Sequence, residues 1–324
     1  MDTFYRLRDL PPLANTALTV GTFDGLHRGH LAVIQRLMNF TADKSTPSVV
    51  LTFDPHPQHV LAPPEAPKKE LIITLEKKLS ILEAAGVDLT MLLTFDKELS
   101  RISANEFLEK VIVEHFQPKQ IVVGYDHHFG YKRQGNAQFL TEHAPRYGYS
   151  VEVVEAVNST DSTISSSQIR QLLKNGQCEE AEYILGRPYE IPGKVIPGTG
   201  RGGELEYPTA NLAPDEPAQL IPKGGVYIIS ATIDSRETFG MCNVGFRPTF
   251  NGKTMTIEAH FFNPVRSELY NARLAFRFHH RLRSEHKFST TEELRAQLER
   301  DKESSLKWIA KYQEEGKQIH ASIS

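Results

Sequence analysis

Ala17-Leu18-Thr19-Val20 runs into Gly21-Thr22-Phe23-Asp24-Gly25-Leu26-His27-Arg28-Gly29-His30 and then into Leu31–Phe40. The apolar run Ala17–Gly21 predicts a buried strand, and the apolar spacing of Leu31–Phe40 predicts a helix. A glycine-containing turn joins them. Glycines there permit a tight turn and a close approach of backbone to a ligand. A helix that starts at such a turn offers free N–H groups and a favourable dipole to phosphate. His27 and His30, three apart, share one face of a helical turn. As imidazolium groups they neutralise charge on a triphosphate and on a departing pyrophosphate. Gly21, Phe23, Asp24 and Gly25 are therefore candidate ATP contacts, and His27 and His30 candidate catalytic residues.

The same rhythm continues outward. Strands are expected at Ser48–Phe53, Leu89–Phe95, Gln120–Gly124 and Ser150–Val154. Helices are expected near Leu75–Ala85, Ala104–Phe116 and Gln138–Tyr147, with Ser103 and Glu106 as a capping box. Two more helical patterns follow, near Ser166–Lys174 and Glu179–Leu185. Strands alternating with helices imply a doubly wound parallel sheet, Rossmann-like, whose ligands bind at the carboxyl ends of the strands. After Gly186 glycine and proline become frequent, and then β-rich runs follow without helices: Gly225–Ile233, Thr238–Val244, Thr254–Phe262 and Arg273–Arg283. These predict an antiparallel barrel or sandwich. A polar helix over Glu292–Tyr312 is expected to lay Leu294, Leu298, Leu306, Trp308 and Ile309 against it. The boundary falls at Leu185–Pro188, giving an α/β domain over 1–186 and a β-barrel domain with a C-terminal helix over 187–324.

Composition narrows the partners. The chain has 324 residues, 40% hydrophobic and 24% charged, with a formal net charge of -3. That balance argues against a general nucleic-acid binder, which carries a basic field. No run approaches the ~18 apolar residues of a membrane span, and the N-terminus has no apolar leader core. Two distant cysteines, Cys178 and Cys242, form neither a disulfide framework nor a zinc site, which fits a reducing, cytoplasmic location. The sequence sets no oligomeric state.

Three further segments place polar side chains at the same sheet edge. Asp54-Pro55-His56-Pro57 follows the second expected strand, where proline holds Asp54 and His56 in a turn. Asp126 follows the fourth, placed to take a ribose hydroxyl or Mg²⁺; Lys132 and Arg133 lie just beyond. Ser165, Ser166 and Ser167 open a helix, and Arg170 one turn along can grip phosphate bidentately. Together GTFDGLHRGH, TFDPHP (residues 52–57), GYDHHFG (124–130) and ISSSQIR (164–170) resemble the HxGH nucleotidyltransferase superfamily, in the form found in bacterial FAD synthetases. Ser167 stands where that family usually has Thr. The resemblance implies attack by the phosphate of FMN on the α-phosphorus of ATP, giving FAD and pyrophosphate.

The second half carries its own set. Gly193–Gly203 is glycine-rich but lacks the Walker A order. It leads into Pro208-Thr209-Ala210-Asn211, similar to the PTAN motif of riboflavin kinases; Asn243–Phe250, Thr256–His260, Leu282–Phe288 and Asp301 continue that likeness. Phosphorylating a ribityl hydroxyl needs a phosphate cradle, a metal and a base. Gly198, Gly200, Arg201 and Gly202 can form the cradle. Thr209 and Asn211 offer oxygen ligands to Mg²⁺ and to the ATP phosphates, and Glu258 is the candidate base. Asn243 and Arg247 read equally well as turn residues. Glu206 and Gly203 depart from the family, which usually has Gly and often a basic residue there. The expected activities are therefore riboflavin kinase and FMN adenylyltransferase, with riboflavin, FMN, FAD and ATP as ligands. The alternatives are another nucleotidyltransferase with a regulatory barrel, or a non-catalytic flavin-binding protein.

Overall fold

The computed structural model describes residues 1–42, 45–159, 163–197, 210–249, 252–262 and 269–323. Contacts divide the chain into two compact units, Met1–Gln168 and Ile169–Ser324.

The first unit contains a six-stranded sheet. Its strands are β1 (Asp2–Phe4), β2 (Thr16–Val20), β3 (Ser48–Asp54), β4 (Leu89–Thr94), β5 (Pro118–Gly124) and, after a small antiparallel ribbon of β6 (His128–Phe129) and β7 (Gly135–Asn136), β8 (Ser150–Val154). Their order is β1-β4-β3-β2-β5-β8, and every pairing is parallel. The five expected strands are all present. β1 is additional, a three-residue edge strand too short to show a period. The helices are α1 (Arg28–Phe40), α2 (Pro57–Leu61), α3 (Leu75–Ala84), α4 (Ala104–Glu106) running through a π-wound stretch (Phe107–Val113) into α5 (Glu114–Phe116), and α6 (Ala137–Tyr147). The Ser103–Glu106 capping box forms as expected.

Successive strand residues point to opposite faces. Leu18, Val49, Leu51, Ile121 and Val123 join one core, with Phe107, Leu108 and Phe116. Ala17, Val50 and Val122 join the other, with Val33, Ile34, Leu37 and Leu82. The central strands β2 and β3 therefore send apolar side chains to both faces, as a sheet covered on both sides requires.

Helix α7 (Ser166–Asn175) begins in the first unit and continues in the second, followed by α8 (Cys178–Leu185), which packs on β9 (Tyr189–Ile196) and β14 (Arg273–Arg283). With β10 (Ala210–Pro214), β11 (Gly225–Ile233), β12 (Arg236–Thr249) and β13 (Gly252–Phe261), these strands close an antiparallel barrel in the order β10-β13-β12-β11-β14-β9. Strands β9 and β10 were not expected. Pro192, Gly193 and Pro214 make their sequences look like loop, yet Gly193 serves the barrel: a Cβ there would run into the Ala213 carbonyl of the neighbouring strand.

Helix α9 (Thr291–Ile323) lies along the barrel. Of the expected stripe, Ile309 packs with Ile228 and Phe239 and Trp308 lies against them, but other positions depart from it. Asp301, Ser305 and Ile309 are buried, whereas Leu306 is 48% exposed and faces away. Asp301 is buried because Arg283 of β14 pairs with it at 2.7 Å, so a salt bridge occupies a place where apolar periodicity leads one to look for leucine.

Candidate functional site

The Gly21–His30 segment connects β2 to α1 at the carboxyl edge of the sheet. Its shape depends on glycines and on buried side chains. Phe23 has a positive φ, is buried, and lays its ring over Gly21, where a Cβ would sit 3.0 Å from it. Gly25 is left-handed (φ 87°) and faces Ile72 at a distance that leaves little room for a side chain. His27 caps α1, its Nδ1 accepting the His30 backbone N–H at 3.3 Å. The two imidazoles stack, with centroids 3.7 Å apart, and the edge of Phe23 meets His30. A Cβ at Gly29 would stand 3.2 Å from the His27 ring, so even an alanine there would press on it.

Asp24 is buried. Its Oδ1 accepts the Ile72 N–H at 3.1 Å, and its Oδ2 stands 4.0 Å from His56 Nε2. His56 caps α2 directly after Asp54, which ends β3; the Asp54–Pro55 peptide is cis. The first two expected motifs therefore meet through Asp24 and His56. The last joins them: Ser166 Oγ donates to the Asp24 carbonyl at 2.8 Å. Ser165 Oγ accepts the Gln168 N–H at 3.2 Å, capping the opening turn of α7. Ser167 is exposed, and Arg170 is buried one turn along the helix from Ser166. Asp126 lies in the turn after β5 with its carboxylate back over Gly124, 3.5 Å from where a Cβ would be. Beside it, burial pushes the His127 imidazole down to about 4, with the neighbouring His128 adding to the effect.

The sequence reading missed Lys78. Its ammonium is buried in this site and donates to the Thr22 carbonyl at 2.8 Å, and Asp24 and Asp54 are its electrostatic partners. The available signal was its place four residues before Leu82: these two are the buried residues of α3, so a lysine occupies the apolar stripe.

In the second unit, Asn211 of β10 pairs in register with Glu258 of β13, and Glu258 with Asn243 of β12. Residues opposite each other on adjacent strands share a face, so the three polar side chains form one row across the barrel wall. Asn211 is buried, and among the described residues its Nδ2 has no hydrogen-bond partner. Asn243 Nδ2 donates to Glu285 Oε1 at 3.2 Å. Gly198, Gly200, Arg201, Gly202 and Thr209, with the departures at Gly203 and Glu206, lie outside the described residues.

Comparison with known proteins supplies two family matches: FAD synthetase over residues 11–168 and riboflavin kinase over residues 185–309. A bifunctional riboflavin kinase/FMN adenylyltransferase of Haemophilus influenzae is 35% identical, covering 90% of this chain and 94% of its own. Its namesake in Bacillus subtilis is 33% identical, covering 92% of this chain and 93% of its own. A solved chain described as a macrolide-efflux protein from Streptococcus pneumoniae matches at a TM-score of 0.87 and 28% identity, covering 95% of this chain and 99% of that one. Among the described residues of this chain, no helix is long and apolar enough to cross a membrane.

Proposed function

The chain belongs to the family of bifunctional riboflavin kinases/FMN adenylyltransferases, and from that membership we propose that it makes FMN from riboflavin and ATP, then FAD from FMN and ATP. Residues 187–324 carry the kinase and residues 1–186 the adenylyltransferase. The observation that carries the reading is the Ser166–Asp24 hydrogen bond, which gathers the first and last signature segments beside the stacked histidines at the start of α1.

In the adenylyltransferase, a phosphate oxygen of FMN attacks the α-phosphorus of ATP. The bond to the bridging oxygen breaks and pyrophosphate leaves with that electron pair, so no protein nucleophile is needed. Catalysis is positioning and charge stabilisation. His27, His30 and the N-terminal end of α1, with its favourable dipole, face the developing charge. Ser166 commits its hydroxyl hydrogen to Asp24 and acts as a brace. Ser165 accepts with its oxygen and keeps its own hydrogen for a phosphate, as does the exposed Ser167. Arg170 binds the β- and γ-phosphates. Gly21, Phe23 and Gly25 shape the loop, while Asp54 and Asp126 hold the nucleotide at the sheet edge.

In the kinase, the terminal ribityl hydroxyl attacks the γ-phosphorus, Glu258 takes its proton, and ADP leaves. Gly198, Gly200, Arg201 and Gly202 cradle the triphosphate. Asn211 suits a site of this kind: a buried amide that lacks a partner within the described residues needs a phosphate oxygen or, turned over, a cation. With Thr209 it is the residue we assign to Mg²⁺, which screens the triphosphate charge. Two buried free thiols support a cytoplasmic setting.

The test is incubation with riboflavin and MgATP followed by chromatography of the flavins. FMN should appear first and FAD after it. Glu258→Gln should stop FMN formation while supplied FMN is still converted, and His30→Ala should do the reverse. Loss of both activities in a folded Glu258→Gln protein would sink the assignment of separate sites.

A further inference from the structure

Residues 22–24 are pinned from outside their own loop. Ser166 takes the Asp24 carbonyl, the Ile72 N–H takes the Asp24 carboxylate, and Lys78 takes the Thr22 carbonyl. Ile72 leads into α3, and Lys78 lies in its first turns, where Thr74 caps the helix. One short helical segment therefore grips the nucleotide loop at two points.

Lys78 is the unusual member. A lysine is almost never this buried unless paired, and only 8% of it is exposed. Burial draws its pKa below the ordinary lysine value, while Asp24 and then Asp54 draw it upward. Met at this place would fill the space but leave Asp24 and Asp54 without their counter-charge, because removing one partner of a buried ion pair is costly. The carboxylates are the other half of the argument. Asp24 and Asp54 stand at the sheet edge where a triphosphate must come. Two uncompensated acids there would repel it.

We propose that Lys78 is a positioning residue for adenylyl transfer: its buried ammonium holds the Thr22 carbonyl and offsets Asp24 and Asp54, so that the Gly21–His30 loop keeps the shape and charge a triphosphate requires. The proposal rests on the adenylyltransferase reading of this site. Lys78 touches neither substrate nor reacting atoms in this scheme. Its effect passes through Thr22, Asp24 and Asp54.

The test compares Lys78→Met and Lys78→Arg with the wild type, measuring FAD formation from supplied FMN and FMN formation from riboflavin in the same protein. For Lys78→Met, kcat/KM for FAD formation should fall by about 30-fold or more, chiefly through a raised KM for ATP. FMN formation should stay near wild type, while the unfolding midpoint of the first unit falls because Asp24 and Asp54 lose their counter-charge, so both activities are measured well below that midpoint. Lys78→Arg, which keeps the charge, should recover a substantial part of the loss. Lys78→Met with wild-type FAD kinetics would overturn the proposal. So would a parallel fall of both activities, or an arginine variant no better than methionine. Failure of the wild type itself to convert FMN would overturn the adenylyltransferase reading and this proposal with it, an outcome distinct from the others.

Discussion

Ser166 donates its hydroxyl hydrogen to the carbonyl of Asp24, a residue 142 positions earlier, at 2.8 Å. That bond fixes the start of α7 to the loop before α1. Ser166→Ala leaves the carbonyl without this donor and should cost about 1 kcal/mol of stability in the first unit. Calorimetry measures the cost. Flavin chromatography should show slower FAD formation with FMN formation intact. A variant that makes FAD at the wild-type rate would remove the brace role assigned to Ser166.

Glu285 occupies the space above Gly245 so closely that a β-carbon at 245 would collide with its carboxylate, and the same carboxylate accepts the Asn243 amide. Gly245→Ala should therefore push a flexible carboxylate aside rather than unfold the barrel. Asn243 then loses its partner in the row that contains Glu258. The expected result is a several-fold drop in the riboflavin kinase rate with a stability change of about 1 kcal/mol or less. An unaltered kinase rate would show that Asn243 does not depend on Glu285.

Cys178 and Cys242 are both buried and free. Burial pushes the Cys178 thiol up to about 12, with Glu179, Glu180 and Glu182 adding to it, and burial raises Cys242 further, with Glu258 as the next cause. The thiolate is the reactive form, so an aromatic disulfide reagent near pH 8 should label neither residue in the native protein and both after unfolding. Rapid native labelling would contradict the packing around them.

Burial pushes the pKa of His127 down to about 4, and the neighbouring His128 adds to the effect. The folded state thus binds its proton less readily than the unfolded chain, whose value is about 6.5. The stability linked to this group is complete above about 6.5 and is lost as pH falls toward 4. His127→Gln should flatten the pH dependence of the unfolding midpoint across that interval. An NMR titration of the ring with a midpoint near 6.5 would refute it. At neutral pH His127 is uncharged.

The first unit was legible because its signals are local. Strands β2 and β3 are rich in apolar and β-branched residues, and His27, Asp54, Asp126 and Ser165 each stand beside the end of a strand or the start of a helix. Lys78 escaped because Glu76-Lys77-Lys78 looks like an ordinary solvated helix face; its role depends on Thr22, 56 positions away. β9 and β10 escaped because the residues that let two barrel strands approach, such as Gly193, are the ones that signal loops. Leu306 and Asp301 exchanged their expected places on α9 because a buried partner, Arg283, outweighed periodicity.

Helix α7 begins with Ser166 in the first compact unit and continues from Ile169 in the second. Severing the chain after residue 168 would cut α7 between its opening serines and Arg170. Severing it after residue 186 would leave α7 whole but strip α8 from β9 and β14. The two units therefore share a piece of covalent architecture, one unbroken helix that cannot be assigned whole to either.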